Sequence, residues 1–157
     1  MKNLTLKNVA EACKGQYIGA EERENFCVTA VTTDSRQVCD GCLFVAVPGE
    51  RVDGHSYIQK AVEAGAAAVI AERELPGAAF PYILVKNSLQ AVKDLAEFYL
   101  AGLGIPVVGI AGSVGKTSTK EMTASVLSQK YRVLKTEGNF NNELGLPLTI
   151  FGLRSED

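Results

Sequence analysis

One segment constrains this chain more than any other. It runs from the apolar stretch Val107–Ala111 through Gly112-Ser113-Val114-Gly115-Lys116-Thr117-Ser118 into a helical pattern ending near Lys130. A short, wholly apolar run bounded by glycines reads as a central parallel strand. The glycine-rich stretch after it has the make-up of a phosphate-binding turn. A phosphate needs backbone N–H groups pointing inward, and glycine permits the close approach. It also needs a helix N-terminus, whose dipole favours negative charge. A lysine must reach the β- and γ-phosphates, and a hydroxyl must be available for Mg²⁺. Gly112, Gly115, Lys116 and Thr117 supply these in order, with Ser113, Val114 and Ser118 completing the turn. The spacing departs from the general G-x-x-x-x-G-K-[ST] pattern, because Ile110 stands where its first glycine would be. A plain glycine turn with a surface lysine is the competing explanation. The strand pattern before it and the helix pattern after it favour the phosphate.

The rest of the chain alternates in the same way, which implies α/β units with parallel pairing. Thr5 is placed to cap a helix over Leu6–Cys13. Strands are expected at Gln16–Gly19, Val28–Thr32, Leu43–Val47, Ala67–Ala71, Tyr82–Val85 and, after the phosphate turn, Tyr131–Leu134. Ser56 is expected to cap a helix through Ala64. Ser88 opens an amphipathic helix with Leu89, Val92, Leu95, Ala96 and Tyr99 at helical spacing, ended by Gly102 and Gly104. The break near Leu100–Pro106 divides the chain into a small α/β domain, 1–103, and the start of a parallel-sheet domain, 104–157. With 46% apolar and 22% charged residues the chain can build a core. A net charge of −2 argues against a nucleic-acid coat or a polybasic membrane binder. No apolar run reaches a membrane span. The N-terminus lacks a signal-peptide h-region, so a soluble, cytoplasmic, monomeric protein is expected. Of the four cysteines, Cys39 and Cys42 form a C-x-x-C. It precedes a strand pattern, whereas redox motifs of the thioredoxin kind open a helix. His55 is the one histidine, so a zinc site lacks ligands. Structural thiols are expected.

Three segments, in order, carry a resemblance. Gly112-Ser113-Val114-Gly115-Lys116-Thr117-Ser118-Thr119-Lys120-Glu121 resembles the ATP loop of the Mur ligases. Thr136-Glu137-Gly138-Asn139-Phe140-Asn141-Asn142-Glu143-Leu144-Gly145-Leu146-Pro147-Leu148-Thr149 resembles the Asn-rich turn of their ATPase domain. Thr33-Asp34-Ser35-Arg36, Gly41-Cys42-Leu43-Phe44-Val45-Ala46 and Gly49-Glu50-Arg51-Val52-Asp53-Gly54-His55 resemble their N-terminal nucleotide-sugar domain. Cys42 stands where the family more usually has an acidic or small polar residue.

The resemblance implies an ATP-dependent amide ligase of peptidoglycan precursor synthesis with ATP and Mg²⁺ as cofactors. The loop wording is closest to the member that joins D-alanyl-D-alanine (D-Ala-D-Ala) to UDP-N-acetylmuramoyl-tripeptide through an acyl phosphate. By the same resemblance, Gly112–Ser118 hold ATP, Lys116 and Thr117 are catalytic, and Thr117 binds Mg²⁺. Thr119 and Lys120 come next, on the first helical turn. Asn141 and Asn142 face the γ-phosphate and the incoming carboxylate, and Glu143 is a second candidate for Mg²⁺. Ser35 and Arg36 hold the uridine diphosphate, to which Asp53-Gly54-His55 could contribute. Asp-Gly equally suits a turn, and His55 a helix cap. Little chain remains after Thr117, so an incomplete, inactive fragment is expected, with its last part packed loosely or only against the first domain. Three other readings are the preceding ligase of the pathway, a non-catalytic nucleotide-sugar binding module and a P-loop switch.

Overall fold

A computed structural model describes residues 1, 3–49, 52–136 and 143–153. Its centre is a five-stranded sheet in the order β1-β5-β4-β3-β2. The strands are β1 (Gln16–Ile18), β2 (Val31–Thr32), β3 (Leu43–Val45), β4 (Ala68–Ala71) and β5 (Tyr82–Leu84). β2 to β5 pair in parallel, and β1 closes one edge antiparallel to β5, with Tyr17 opposite Ile83. The parallel pairing is as expected, and the antiparallel edge strand is an addition to it.

All four residues of β4 and all three of β3 are buried, as a strand covered on both faces requires. Alternation sorts them. Leu43, Val45, Ala68, Ile70 and Ile83 face one core, shared with α1 (Leu6–Ala12) and α3 (Ser88–Leu103). Phe44, Val69, Ala71 and Tyr82 face the other, shared with Ile58 and Ala61 of α2 (Ile58–Glu63). This is the mixed α/β architecture the residue pattern implies.

Local signals place most of the helices. Thr5 caps α1, its hydroxyl accepting from the Asn8 N–H at 3.2 Å. α3 opens at Ser88, as expected, and is capped by Asn87. The Asn87 side-chain Oδ1 accepts from the Gln90 N–H at 2.7 Å, while the Ser88 N–H and hydroxyl both donate to Glu72, at 2.6 and 2.8 Å. Gly104, in the left-handed region, ends α3. Asp53, not Ser56, caps the 3₁₀ turn Gly54–Tyr57 that leads into α2. β2 is shorter than expected: Val28 turns to the N-terminal segment, and Thr29 meets the turn that precedes β3. The Val28 N–H donates to Leu4 and the Thr29 N–H to Gly41, each at 3.0 Å.

The second part of the chain holds two corrections. Residues 107–111 and 131–134 form no strand. Val107 and Val108 are 64% and 63% exposed. A strand exists only through its ladder, and neither run joins a β-ladder among the described residues. The helix between them does form, as α4 (Lys116–Leu127), with Ala124 as its one buried residue. A further helix that the residue pattern did not announce, α5 (Gly145–Phe151), turns back onto the first domain. Phe151 and Leu153 join the core of α1 and α3. The Tyr99 hydroxyl donates to the Leu153 carbonyl at 2.7 Å, and the Tyr99 and Phe151 rings lie 6.3 Å apart.

Candidate functional site

The phosphate turn leads into α4 as its residues require. Gly115 is the N-cap, at φ 78°, a left-handed conformation that costs glycine little. The next N–H groups, of Lys116, Thr117 and Ser118, belong to the first helical turn and have no partner within the helix. With the dipole they make an anion site. The Lys116 ammonium curls over the turn, donating to the Gly112 carbonyl at 2.6 Å and reaching Ser113 O at 3.4 Å. It is therefore held at the mouth of the turn by oxygens it must release to meet an anion. Ser113, Thr117 and Ser118 are exposed, and Val114 is 87% exposed. Gly112–Gly115 thus form the turn, and Lys116, Thr117 and Ser118 the first turn of α4. The Thr119 hydroxyl is spent on the Gly115 carbonyl at 2.9 Å. Lys120 donates to the Thr136 carbonyl at 2.5 Å, and Glu121 pairs with Lys135. These contacts tie α4 to the segment that leads towards Asn141 and Asn142, which lie outside the described residues. Glu143 is described. Its carboxylate meets Lys93 of α3 at 3.1 Å, a partner no local signal announces.

Thr33-Asp34-Ser35-Arg36 leaves the C-terminal end of β2. The Thr32 hydroxyl accepts from the Asp34 N–H at 3.1 Å, which starts the turn. Asp34 then takes Arg36 in a fork: Nε donates at 2.9 Å and Nη2 at 2.7 Å, and the Arg36 backbone N–H adds a third bond at 2.9 Å. These bonds hold the Asp34 carboxyl down at about 2. The guanidinium is 81% exposed, so its unused donors face solvent beside the half-buried Ser35.

The Asp53-Gly54-His55 motif is absorbed by the fold. His55 is buried, and its Nδ1 lies 2.7 Å from Asp53 Oδ1. Its Nε2 accepts from the Glu72 N–H at 3.0 Å, so Nδ1 carries the proton. Both ring nitrogens are occupied, and Arg73 completes the cluster at 3.3 Å from Asp53. Hydrogen bonds from His55 hold the Asp53 carboxyl below its ordinary value. Of the two roles weighed for this segment, the structural one matches these contacts. Glu72, which receives Ser88 and anchors α3, carried no signal in the sequence.

Among the described residues no cluster of three or more His, Cys, Asp or Glu could hold a metal ion. No helix among them is long and apolar enough to cross a membrane.

A helix-capping phosphate loop joined to a small α/β domain that exposes a Ser-Arg turn defines a class, and comparison with known proteins agrees. The family profile "Mur ligase family, catalytic domain" matches residues 27–100, and "Mur ligase middle domain" matches residues 110–157. The chain belongs to the Mur ligase family. Within it, the chain is 45% identical over 151 residues to the UDP-N-acetylmuramoyl-tripeptide–D-alanyl-D-alanine ligase of Bacillus subtilis, covering 95% of this chain and 33% of that protein. A crystal structure of MurF from Acinetobacter baumannii superposes with a TM-score of 0.86 at 32% identity, over 97% of this chain and 33% of that one. MurF ligase from Thermotoga maritima in complex with ADP matches with a TM-score of 0.72 at 43% identity, over 78% of this chain and 28% of that one. The chain spans about a third of the length of the curated relatives it matches.

Proposed function

We propose that these residues belong to an ATP-dependent ligase that joins D-Ala-D-Ala to UDP-N-acetylmuramoyl-tripeptide in peptidoglycan precursor synthesis. The observation that carries the proposal is the Gly115–Thr117 helix start, in a chain whose relatives of that name share up to 45% identity with it. On this reading residues 1–103 bind the UDP-sugar peptide in the cytoplasm, and 104–157 begin the ATP-binding domain. ATP supplies the phosphoryl group that activates the tripeptide carboxylate. The chain's own part is positioning and charge neutralisation, as in other phosphoryl transfers.

The N–H groups of Gly112–Ser118 hold the phosphates. Lys116 leaves the Gly112 carbonyl to neutralise the transferring group. The Thr117 hydroxyl fits Mg²⁺ that is shared with the phosphates, because Mg²⁺ keeps most of its shell as water and phosphate oxygen. Asn141 and Asn142 face the γ-phosphate and the carboxylate. Glu143 joins the metal shell only by giving up Lys93. Ser35 and the free edge of Arg36 take the uridine diphosphate, since a guanidinium offers a fork of donors to phosphate. The exposed Val107, Val108, Met122, Val126 and Tyr131 are surfaces for further chain to cover.

Calorimetric titration tests the sugar half. UDP-N-acetylmuramoyl-tripeptide should bind the 157-residue chain, and Arg36→Ala should weaken it by about tenfold, roughly 1.4 kcal/mol. Equal affinity in wild type and variant would remove Arg36 from the site, and no binding by the folded chain would remove the proposal. Mixed with ATP, tripeptide and dipeptide, the same chain should release phosphate only at background.

A further inference from the structure

One motif is left unused by the ligase chemistry. Cys39-Asp40-Gly41-Cys42 forms a turn in which the Cys42 N–H donates to the Cys39 carbonyl at 3.1 Å. Gly41, at φ 74°, shapes it. A Cβ there would meet Thr29 Cγ2 at 3.0 Å, so the turn is packed as well as bent. It is pinned from both sides. The Gly41 N–H donates to Gly65 at 2.9 Å, the Gly41 carbonyl accepts from Thr29 at 3.0 Å, and the Thr29 hydroxyl donates to Asp40 at 2.8 Å. A hydrogen-bonded turn brings its first and last Cα within about 7 Å, close to the window a disulfide spans. The Cys39 thiol is exposed, 3.9 Å from Thr29 Oγ1. Cys42 is fully buried, and its thiol interacts with that of Cys39.

We propose that Cys39 and Cys42 are a vicinal dithiol that closes into an intrachain disulfide by exchange with a small disulfide of the glutathione type. The exposed Cys39 attacks first, as thiolate. A Cys39–glutathione bond forms, the glutathione S–S bond breaks, and one glutathione leaves. The Cys42 sulfur then attacks Cys39 Sγ, its proton passing to the leaving glutathione sulfur. The mixed disulfide breaks and the second glutathione leaves. The two thiols are oxidised, and one oxidised glutathione is reduced to two thiols. The order is fixed, because only Cys39 can be reached from solvent. Burial pushes the Cys42 thiol up, which makes the second step the slow one. The chemistry differs from that of thioredoxin-like motifs, which rely on a helix N-terminus. The pair also lies away from the proposed substrate site. It precedes β3, whereas Thr33–Arg36 come after β2, and the two strands are parallel, so they lie at opposite ends of these strands.

The test uses the 157-residue chain with Cys27→Ser, so that the other exposed thiol is silent. After incubation with oxidised glutathione, intact mass should fall by about 2 Da, with two glutathione thiols released per chain and a Cys39–Cys42 cross-link on peptide mapping. Cys42→Ala should stop at a single adduct of about 305 Da on Cys39, and Cys39→Ser should gain nothing. A parent chain that ends at the adduct, or stays reduced, overturns the proposal. That measurement decides even where Cys42→Ala fails to fold.

Discussion

Asp34 and Arg36 show how much of a site one turn can hold. Hydrogen bonds from the Arg36 side chain and backbone N–H depress the Asp34 carboxyl from 3.8 to about 2. A depressed carboxylate contributes stability that is full above its ordinary value and is lost as pH falls through its folded one. The window is therefore between pH 3.8 and about 2. Carboxyl NMR should find the Asp34 midpoint near the lower value in the wild type and raised, though still short of the upper one, in Arg36→Ala, which keeps the backbone N–H bond. An unchanged midpoint would mean that the fork does not persist in solution. Residues whose chemistry is local were legible in the sequence: Gly115, Lys116 and Thr117 sit at a helix start because that is where such residues work. His55 was legible only in part. Its Asp53 contact is local, but the Glu72 N–H that fills Nε2 arrives from a strand end 17 residues away. Lys93 was not legible as the partner of Glu143, since nothing in a helix face says which distant carboxylate will meet it.

At the scale of elements, α3 is the best specified. Its apolar spacing put Val92, Leu95, Ala96 and Tyr99 in the core, where they are found. It opens at Ser88, as the residue pattern implies, with Asn87 as its cap. Glu72 holds the same start by taking the Ser88 N–H and hydroxyl. Asn87→Ala should lower stability by about 1 kcal/mol in urea unfolding, with Ser88→Ala additionally leaving the half-buried Glu72 short of a donor. A loss within error for Asn87→Ala would show that Glu72 alone holds the helix start. The expected strands at 107–111 and 131–134 failed for a different reason. Apolar composition makes a strand admissible, but only a neighbour makes it form, and composition carries no information about neighbours. Missing α5 has a third cause. Pro147 suggests a break, yet a proline in the first turn of a helix displaces no intrahelical bond.

On the scale of the whole molecule, the sequence boundary near Gly104 and the packing boundary do not coincide. Phe151 and Leu153 belong to the same core as Leu95 and Tyr99, so the first packing unit takes in residues on both sides of the phosphate loop. Hydrogen exchange should separate the two. Amides of 145–151 should be protected to a degree approaching those of α3, and those of 106–114 hardly at all. Tyr99→Phe, which removes the 2.7 Å bond to Leu153, should cost about 1 kcal/mol and lower protection in α5 first. Equal, weak protection across 106–151 would mean that α5 does not dock. The 54 residues between Tyr99 and Leu153 also have a meaning in time. A ribosome adding roughly 5–20 residues per second delivers the partner carbonyl some 3–10 s after the tyrosine. Through that interval the face of α3 that α5 will cover stays wet. The core around α3 thus finishes folding only after the glycine-rich turn before α4 has been synthesised.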